Sequence, residues 1–138
     1  MAFDQTLTTS FKQEVLLGVH DLDTDTLKIA LYTASADLNA TTTVYSPANE
    51  VVGTGYSAGG VVLTGVTVLT SGTTAYVDFN DAVWSPAAFT ARGALIYNFS
   101  KGNKAIAVLD FGSDKTATTS FTVQMPANTV TSALIRFA

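Results

Sequence analysis

The chain is expected to fold as a mainly β protein, an antiparallel jelly-roll-like β-sandwich with one short N-terminal helix. Three observations predict this. Threonine, β-branched and suited to a half-exposed pleat, occurs 22 times in 138 residues. Short runs alternate apolar with polar positions between glycine- and proline-bearing turns. No segment is long enough for the helix of a parallel crossover, which leaves antiparallel sheets: a sandwich, jelly roll or barrel.

Residues 1–9 read as an arm anchored by Phe3 and Leu7. A helix is expected over 10–17. Ser10 can cap it, Gln13 completes a capping box, and Gly18 can close it in the left-handed conformation. Phe11 and Val15 share a face with Leu16 beside them. Two turns are not stable alone, so the helix must dock.

Strands follow. Leu27, Ile29 and Leu31 alternate with Lys28, Ala30 and Tyr32. Ala34 to Thr43 is a polar loop. Residues 44–60 hold Pro47, Gly53, Gly55, Gly59 and Gly60 and read as a short edge strand or a long loop. Strands are expected at 61–64 and 66–70, bent at Gly65, and a Ser71-Gly72 turn leads into 75–79. Asn80 to Pro86 reads as a loop carrying Trp84. Residues 92–99 and 104–111 make the clearest hairpin, through Ser100-Lys101-Gly102-Asn103. In the second of these strands Ala105, Ala107, Leu109 and Phe111 point one way and Lys104, Ile106, Val108 and Asp110 the other. Gly112 to Thr118 reads as a polar turn, 121–125 as a strand, Pro126-Ala127-Asn128 as a turn and 132–137 as the last strand. No repeat or linker interrupts the pattern, so 1–138 is one domain, with the sandwich over 27–138.

Composition narrows function. A chain of 14.4 kDa can bury about two-thirds of its unfolded surface, enough for a core without staples. The absence of cysteine excludes disulfides, thiolate zinc sites, iron–sulfur clusters and a cysteine nucleophile. A formal charge of −4 is the wrong field for a nucleic-acid binder, and Lys101, Lys104 and Lys115 are too scattered to make a patch. No nucleic-acid partner is expected. Only 13% of residues are charged and 47% are hydrophobic, which leaves apolar surface for copies or a partner to bury. The N-terminus carries no secretory pattern, and Gly59 to Leu69 is too short to span a bilayer, so no membrane association is expected. The sequons at Asn39 and Asn98 read as chance matches in a Thr-rich chain.

Motifs that look like chemistry lack their context. Gly55-Tyr56-Ser57-Ala58-Gly59 matches a nucleophile elbow, but a strand follows it and the only histidine, His20, precedes it. Gly53-Thr54-Gly55-Tyr56-Ser57-Ala58 matches a dinucleotide fingerprint that also needs a following helix. Asp21-Leu22-Asp23-Thr24-Asp25 begins like a calcium loop, but Thr26 and Tyr32 stand where an EF-hand needs glycine and glutamate. His20 reads as structural, at the helix end. Asp78, Asp81, Asp110 and Asp114 are candidate glycosidase carboxylates that nothing in sequence pairs. Trp84 can anchor a ligand or plug one end of the sandwich; the plug is preferred. No catalytic, cofactor-binding or metal-binding residue is assigned, and no enzyme is expected.

Several stretches carry a family resemblance. They are Phe11-Lys12-Gln13-Glu14 with Gly18-Val19-His20, then Asp25-Thr26-Leu27-Lys28-Ile29-Ala30-Leu31-Tyr32-Thr33. Asn49-Glu50-Val51 follows, with Gly53-Thr54-Gly55-Tyr56 and Ala58-Gly59-Gly60. The remainder are Thr90-Ala91-Arg92-Gly93-Ala94-Leu95-Ile96-Tyr97-Asn98, Ala105-Ile106-Ala107-Val108-Leu109-Asp110-Phe111-Gly112 and Phe121-Thr122-Val123. Read together, the chain resembles small tailed-phage virion proteins, among them the cement or decoration proteins of podovirus-like capsids. That resemblance implies a jelly roll, a homo-oligomer and binding to a major capsid protein of the HK97 type. It implies localisation to the capsid surface of a virion made in the bacterial cytoplasm. The residues proposed for partner contact are Phe3, Leu7 and Phe11, so deleting 1–9 is expected to leave the domain folded and weaken assembly. The alternatives are a tail, collar or head-fibre component, and a carbohydrate-binding β-sandwich with Trp84 and Tyr56 as platforms.

Overall fold

The computed structural model describes residues 3, 5–125 and 133–137. Its N-terminal arm is part of a sheet. Thr6–Leu7 form strand β1, antiparallel to residues 107–108. Thr8 then donates its N–H to Ile106 O at 2.9 Å and its hydroxyl to Ala105 O at 3.3 Å. Held extended and buried there, it accepts the Phe11 N–H at 3.2 Å. Thr8, not Ser10, is therefore the N-cap, and helix α1 spans Thr9–Leu16, one residue earlier at each end than expected. Gly18, at φ +73°, closes it. Phe11 docks the helix and is fully buried. Leu16 is 87% exposed, because five residues rotate it roughly 140° from Phe11.

The remaining elements are β2 (Leu27–Tyr32), β3 (Val61–Val62), β4 (Thr67–Ser71), β5 (Thr74–Asp78), β6 (Ala82–Trp84), β7 (Phe89–Asn98), β8 (Lys104–Ala117), β9 (Phe121–Val123) and β10 (Arg136–Phe137). The pairings between these strands are antiparallel, and an isolated parallel bridge joins Phe3 to Leu38. The strands form a five-stranded sheet in the order β1-β8-β7-β2-β3, a three-stranded sheet β10-β5-β4 and a pair β6-β9.

The alternation in β2 places the core. Leu27, Ile29 and Leu31 enter one cluster with Phe11, Val77 and Trp84. Ala30 and Tyr32 enter a second with Phe3, Leu38 and Tyr97. The large sheet is thus covered on both faces: by the helix and smaller sheets on one, by the arm and the 33–50 loop on the other. Residues 44–60 take the long-loop alternative, tacked down by single bridges from Val44 to Lys104, Tyr32 to Glu50 and Thr54 to Ala88. The close approach of loop to sheet needs Gly60. At φ +77°, any Cβ there would run into the Ile29 carbonyl.

Three further expectations are corrected. The alternation in β8 breaks, because Ile106 is an extra residue between the pairs Ile96–Ala107 and Tyr97–Ala105. Ile106 and Ala107 therefore both join the first cluster, while Ala105 and Val108 join the second. Residues 80–86 are not all loop: β6 pairs Ala82 with Val123 and Trp84 with Phe121, which buries alternate residues. The segment 112–118 is not simply a turn. β8 resumes pairing at Lys115, opposite Ala91, after residues 111–114 bulge beside Arg92. The expected turn at 126–128 lies outside the described residues, as does the start of the last strand at 132.

Candidate functional site

The three proposed contact residues face inward. Phe3 is 8% exposed, lies under the Arg92 guanidinium (5.4 Å) and packs against Gly93, where a Cβ would strike its ring. Leu7 is half-buried against the first cluster, and Phe11 belongs to that cluster. These side chains tie the arm and helix to their own sheet, and the large apolar groups left outside are others. Leu16 and Leu17 project from the end of α1, Val68 and Leu69 from β4, and Phe137 from β10.

The polar clusters hold the fold together. His20, with its ring wholly buried, lies 5.0 Å from the Phe11 ring. Asn98, also fully buried, donates to His20 Nδ1 at 3.0 Å and to Asp25 Oδ2 at 2.8 Å. With Nδ1 accepting, the ring proton sits on Nε2 and is donated to Glu14 Oε1 at 2.9 Å. Lys101 pairs with Asp25 Oδ1 at 3.2 Å. Burial pushes the Asp25 carboxyl up, but bonds from Asn98, the Asp21 N–H and Lys101 outweigh it and hold the group below its ordinary 3.8. The chain Glu14–His20–Asn98–Asp25–Lys101 joins α1, the loop before β2 and the turn after β7. His20 is thus tied into the fold through the Glu14 and Asn98 side chains, where the expectation had set it against the carbonyls at the helix end.

A second cluster surrounds Glu50, a carboxylate only 7% exposed. It accepts the Tyr45 hydroxyl at 2.6 Å, the Gly59 N–H at 2.8 Å and the Tyr56 hydroxyl. Tyr97 donates to Gly59 O at 2.6 Å and Tyr32 to Ser46 O at 2.7 Å. Burial first, and the Glu50 charge second, push the Tyr97 phenol up to about 12. Burial likewise raises Tyr32, Tyr45 and Tyr56 well above the ordinary 10.0, with Glu50 adding to the effect. The cluster fastens the 44–60 loop to the sheet.

The remaining motifs resolve locally. Ser57 is exposed in a turn in which its carbonyl accepts the Gly60 N–H, and β3 follows without a helix. Asp110 is paired with Arg92 and also accepts the Gly112 N–H; the Arg92 bond, then that N–H, hold its carboxyl below 3.8. Trp84 is 3% exposed, stacked 6.2 Å from Tyr56, and plugs the core, which leaves it no face for a sugar. Among the described residues, no group of three or more His, Cys, Asp or Glu is placed to hold a metal ion.

Two surface depressions lie among the described residues. A groove of about 440 Å³ runs between β8 and β9, lined by Gln5, Asp110, Phe111, Lys115, Phe121 and Gln124. A crevice of about 590 Å³ separates α1 from β5 and β10, with Phe11, Val15, Leu22, Val68 and Phe137 on its walls. Beside it stands β4, every residue exposed, in a stretch (51–77) without one charged side chain. This is the candidate interface. No family model, curated protein or solved structure matches the chain.

Proposed function

We propose that this protein is a structural component of a virion, a capsid cement or decoration protein that works as a homo-oligomer on an HK97-type major capsid protein. In this reading the sheets form a jelly-roll-like sandwich, the chain has no catalytic role, and its place is the capsid surface. The observation that carries the reading is apolar exposure on a compact, charge-poor molecule. Leu16, Leu17, Val68 and Phe137 lie outside a fold whose 6781 Å² surface is that of a compact chain of this mass. Such a surface suits burial against repeated neighbours, where many weak contacts add by symmetry. The family resemblance of the sequence supports the same reading, and the internal use of His20, Asp25 and Glu50 accords with a scaffold role.

Quantitative proteomics of gradient-purified particles from the encoding phage tests it. Copies comparable in number to the major capsid protein are expected. A handful per particle would move the protein to the tail, collar or head fibre. Absence from the particle would overturn the virion reading.

A further inference from the structure

We infer that two copies of this chain associate by pairing their β4 strands antiparallel across a twofold axis at Leu69. The inference deepens the oligomer part of the proposed function and rests on it, but it concerns a contact that forms between free molecules.

β4 is the edge of its sheet, with β5 on one side. The two strands pair through Ser71–Thr74, closed by a two-residue turn at Gly72-Thr73. In such a hairpin the closing pair exchanges both hydrogen bonds, and bonded pairs then alternate. Thr67, Leu69 and Ser71 thus turn their N–H and C=O groups toward β5, while Val68 and Thr70 turn theirs to the open edge. Among the described residues, no other backbone group bonds Val68 or Thr70 there. An open edge is a template for another strand.

The open edge of β4 is self-complementary. With the axis at Leu69, Val68 of one copy meets Thr70 of the other, and the reverse. These are the residues with free groups, so the geometry supplies four inter-copy hydrogen bonds. Leu69 meets its own equivalent in a non-hydrogen-bonded pair, where side chains stand closest.

Charge selects a second copy as the occupant. The molecule carries a net −4, so two copies repel over most of their surface. Residues 51–77 carry no charge, and β4 has none of the lysines or prolines that commonly guard an edge. The neutral hairpin is where two acidic copies can meet without like charges opposed. Two five-residue strands bury less than the roughly 1,200 Å² of a standard interface. The association is therefore weak and concentration-dependent.

The cysteine-free chain permits a direct test. Leu69→Cys is expected to oxidise to a covalent dimer in air, while Val83→Cys, at a more exposed position on β6, remains monomeric at the same concentration. Leu69→Lys, at a position already 36% exposed, is expected to keep the wild-type circular dichroism. It should weaken the dimer seen by sedimentation about tenfold or more, by setting two ammonium groups face to face. A wild-type chain monomeric up to millimolar concentration, equal crosslinking of both cysteine variants, or a dimer that Leu69→Lys leaves intact would each overturn the pairing. None of these outcomes bears on particle copy number. A β4 dimer absent from particles refutes the virion reading alone, and an abundant particle protein that never self-pairs refutes this inference alone.

Discussion

Asn98 joins His20 to Asp25 through one amide group, giving one hydrogen to Nδ1 at 3.0 Å and the other to Oδ2 at 2.8 Å. Helix α1 is too short to persist alone, so this bridge and the burial of Phe11 hold it against the end of β7. Asn98→Ala is expected to lose about 1–3 kcal/mol in urea unfolding, since it strands the buried His20 Nδ1 and takes one of two donors from Asp25 Oδ2, which keeps the Asp21 N–H. Asn98→Asp should lose more, because it sets a second carboxylate against Asp25. A cost below the measurement error for both variants would remove the bridge from the account of stability.

Acid should weaken the fold through Asp25 and Asp110. Both carboxyls sit below 3.8 in the folded chain, Asp25 because its bonds outweigh burial and Asp110 chiefly through Arg92. Their stabilisation is present above the unfolded value and lost as pH falls through the folded one. Melting temperature is therefore expected to drop below about pH 4, and Asp110→Asn should flatten that slope. An unchanged acid profile in the variant would refute the assignment.

Alkali should act through the tyrosines around Glu50. Their folded values are raised, Tyr97 to about 12, so their contribution is complete below the unfolded 10.0 and is lost as pH rises past it. Phenolate absorbance is expected to lag behind that of free tyrosine until the chain unfolds. Glu50→Gln removes the charge and shifts the titration to lower pH. It also costs about 1–3 kcal/mol, because an amide cannot accept at both ends.

The arm should matter to folding before it matters to any assembly. Phe3→Ala is expected to cost about 3 kcal/mol by opening a cavity over Gly93. Removing residues 1–8 takes away β1 and the Thr8 cap together and should lower the melting temperature further. A truncated chain as stable as the parent would restore the free-arm expectation.

Two glycines with positive φ should separate strain from collision. Gly102→Ala, in open space at φ +68°, is expected to cost about 1–2 kcal/mol. Gly60→Ala meets the Ile29 carbonyl as well and should abolish soluble folded protein. Equal losses, read by thermal melts and soluble yield, would contradict the close loop–sheet contact.

Local order was legible in the sequence, and long-range order was not. The alternation of Leu27, Ile29 and Leu31 and the hairpin through Gly102-Asn103 are contained in neighbouring residues, as is the turn after β4, which falls at Gly72-Thr73, one residue later than the expected Ser71-Gly72. β6 is three residues between loop-forming neighbours, and it is a strand only because Trp84 meets Phe121 from far along the chain. The extra residue at Ile106 preserves a hydrophobic run, so nothing in the run marks the break in alternation. Thr8 caps α1 because β8 holds its backbone, which no capping pattern records. Composition flagged charge-poor surface, but the inward turn of Phe3 and Phe11 and the outward turn of Leu16 and Leu17 depend on docking. The His20–Asn98 contact joins residues 78 positions apart.

The lone tryptophan gives the molecule a built-in optical reporter. Trp84 is walled in by Tyr56 and Phe121, at 6.2 and 6.1 Å, and its indole N–H has no partner among the described residues. Its emission should be blue-shifted in the native state and move to the red only when β6–β9 parts from the large sheet. Contacts made at the molecular periphery leave that environment alone. Fluorescence then follows unfolding and light scattering follows association, so one sample distinguishes a chain that has lost its partners from one that has lost its core.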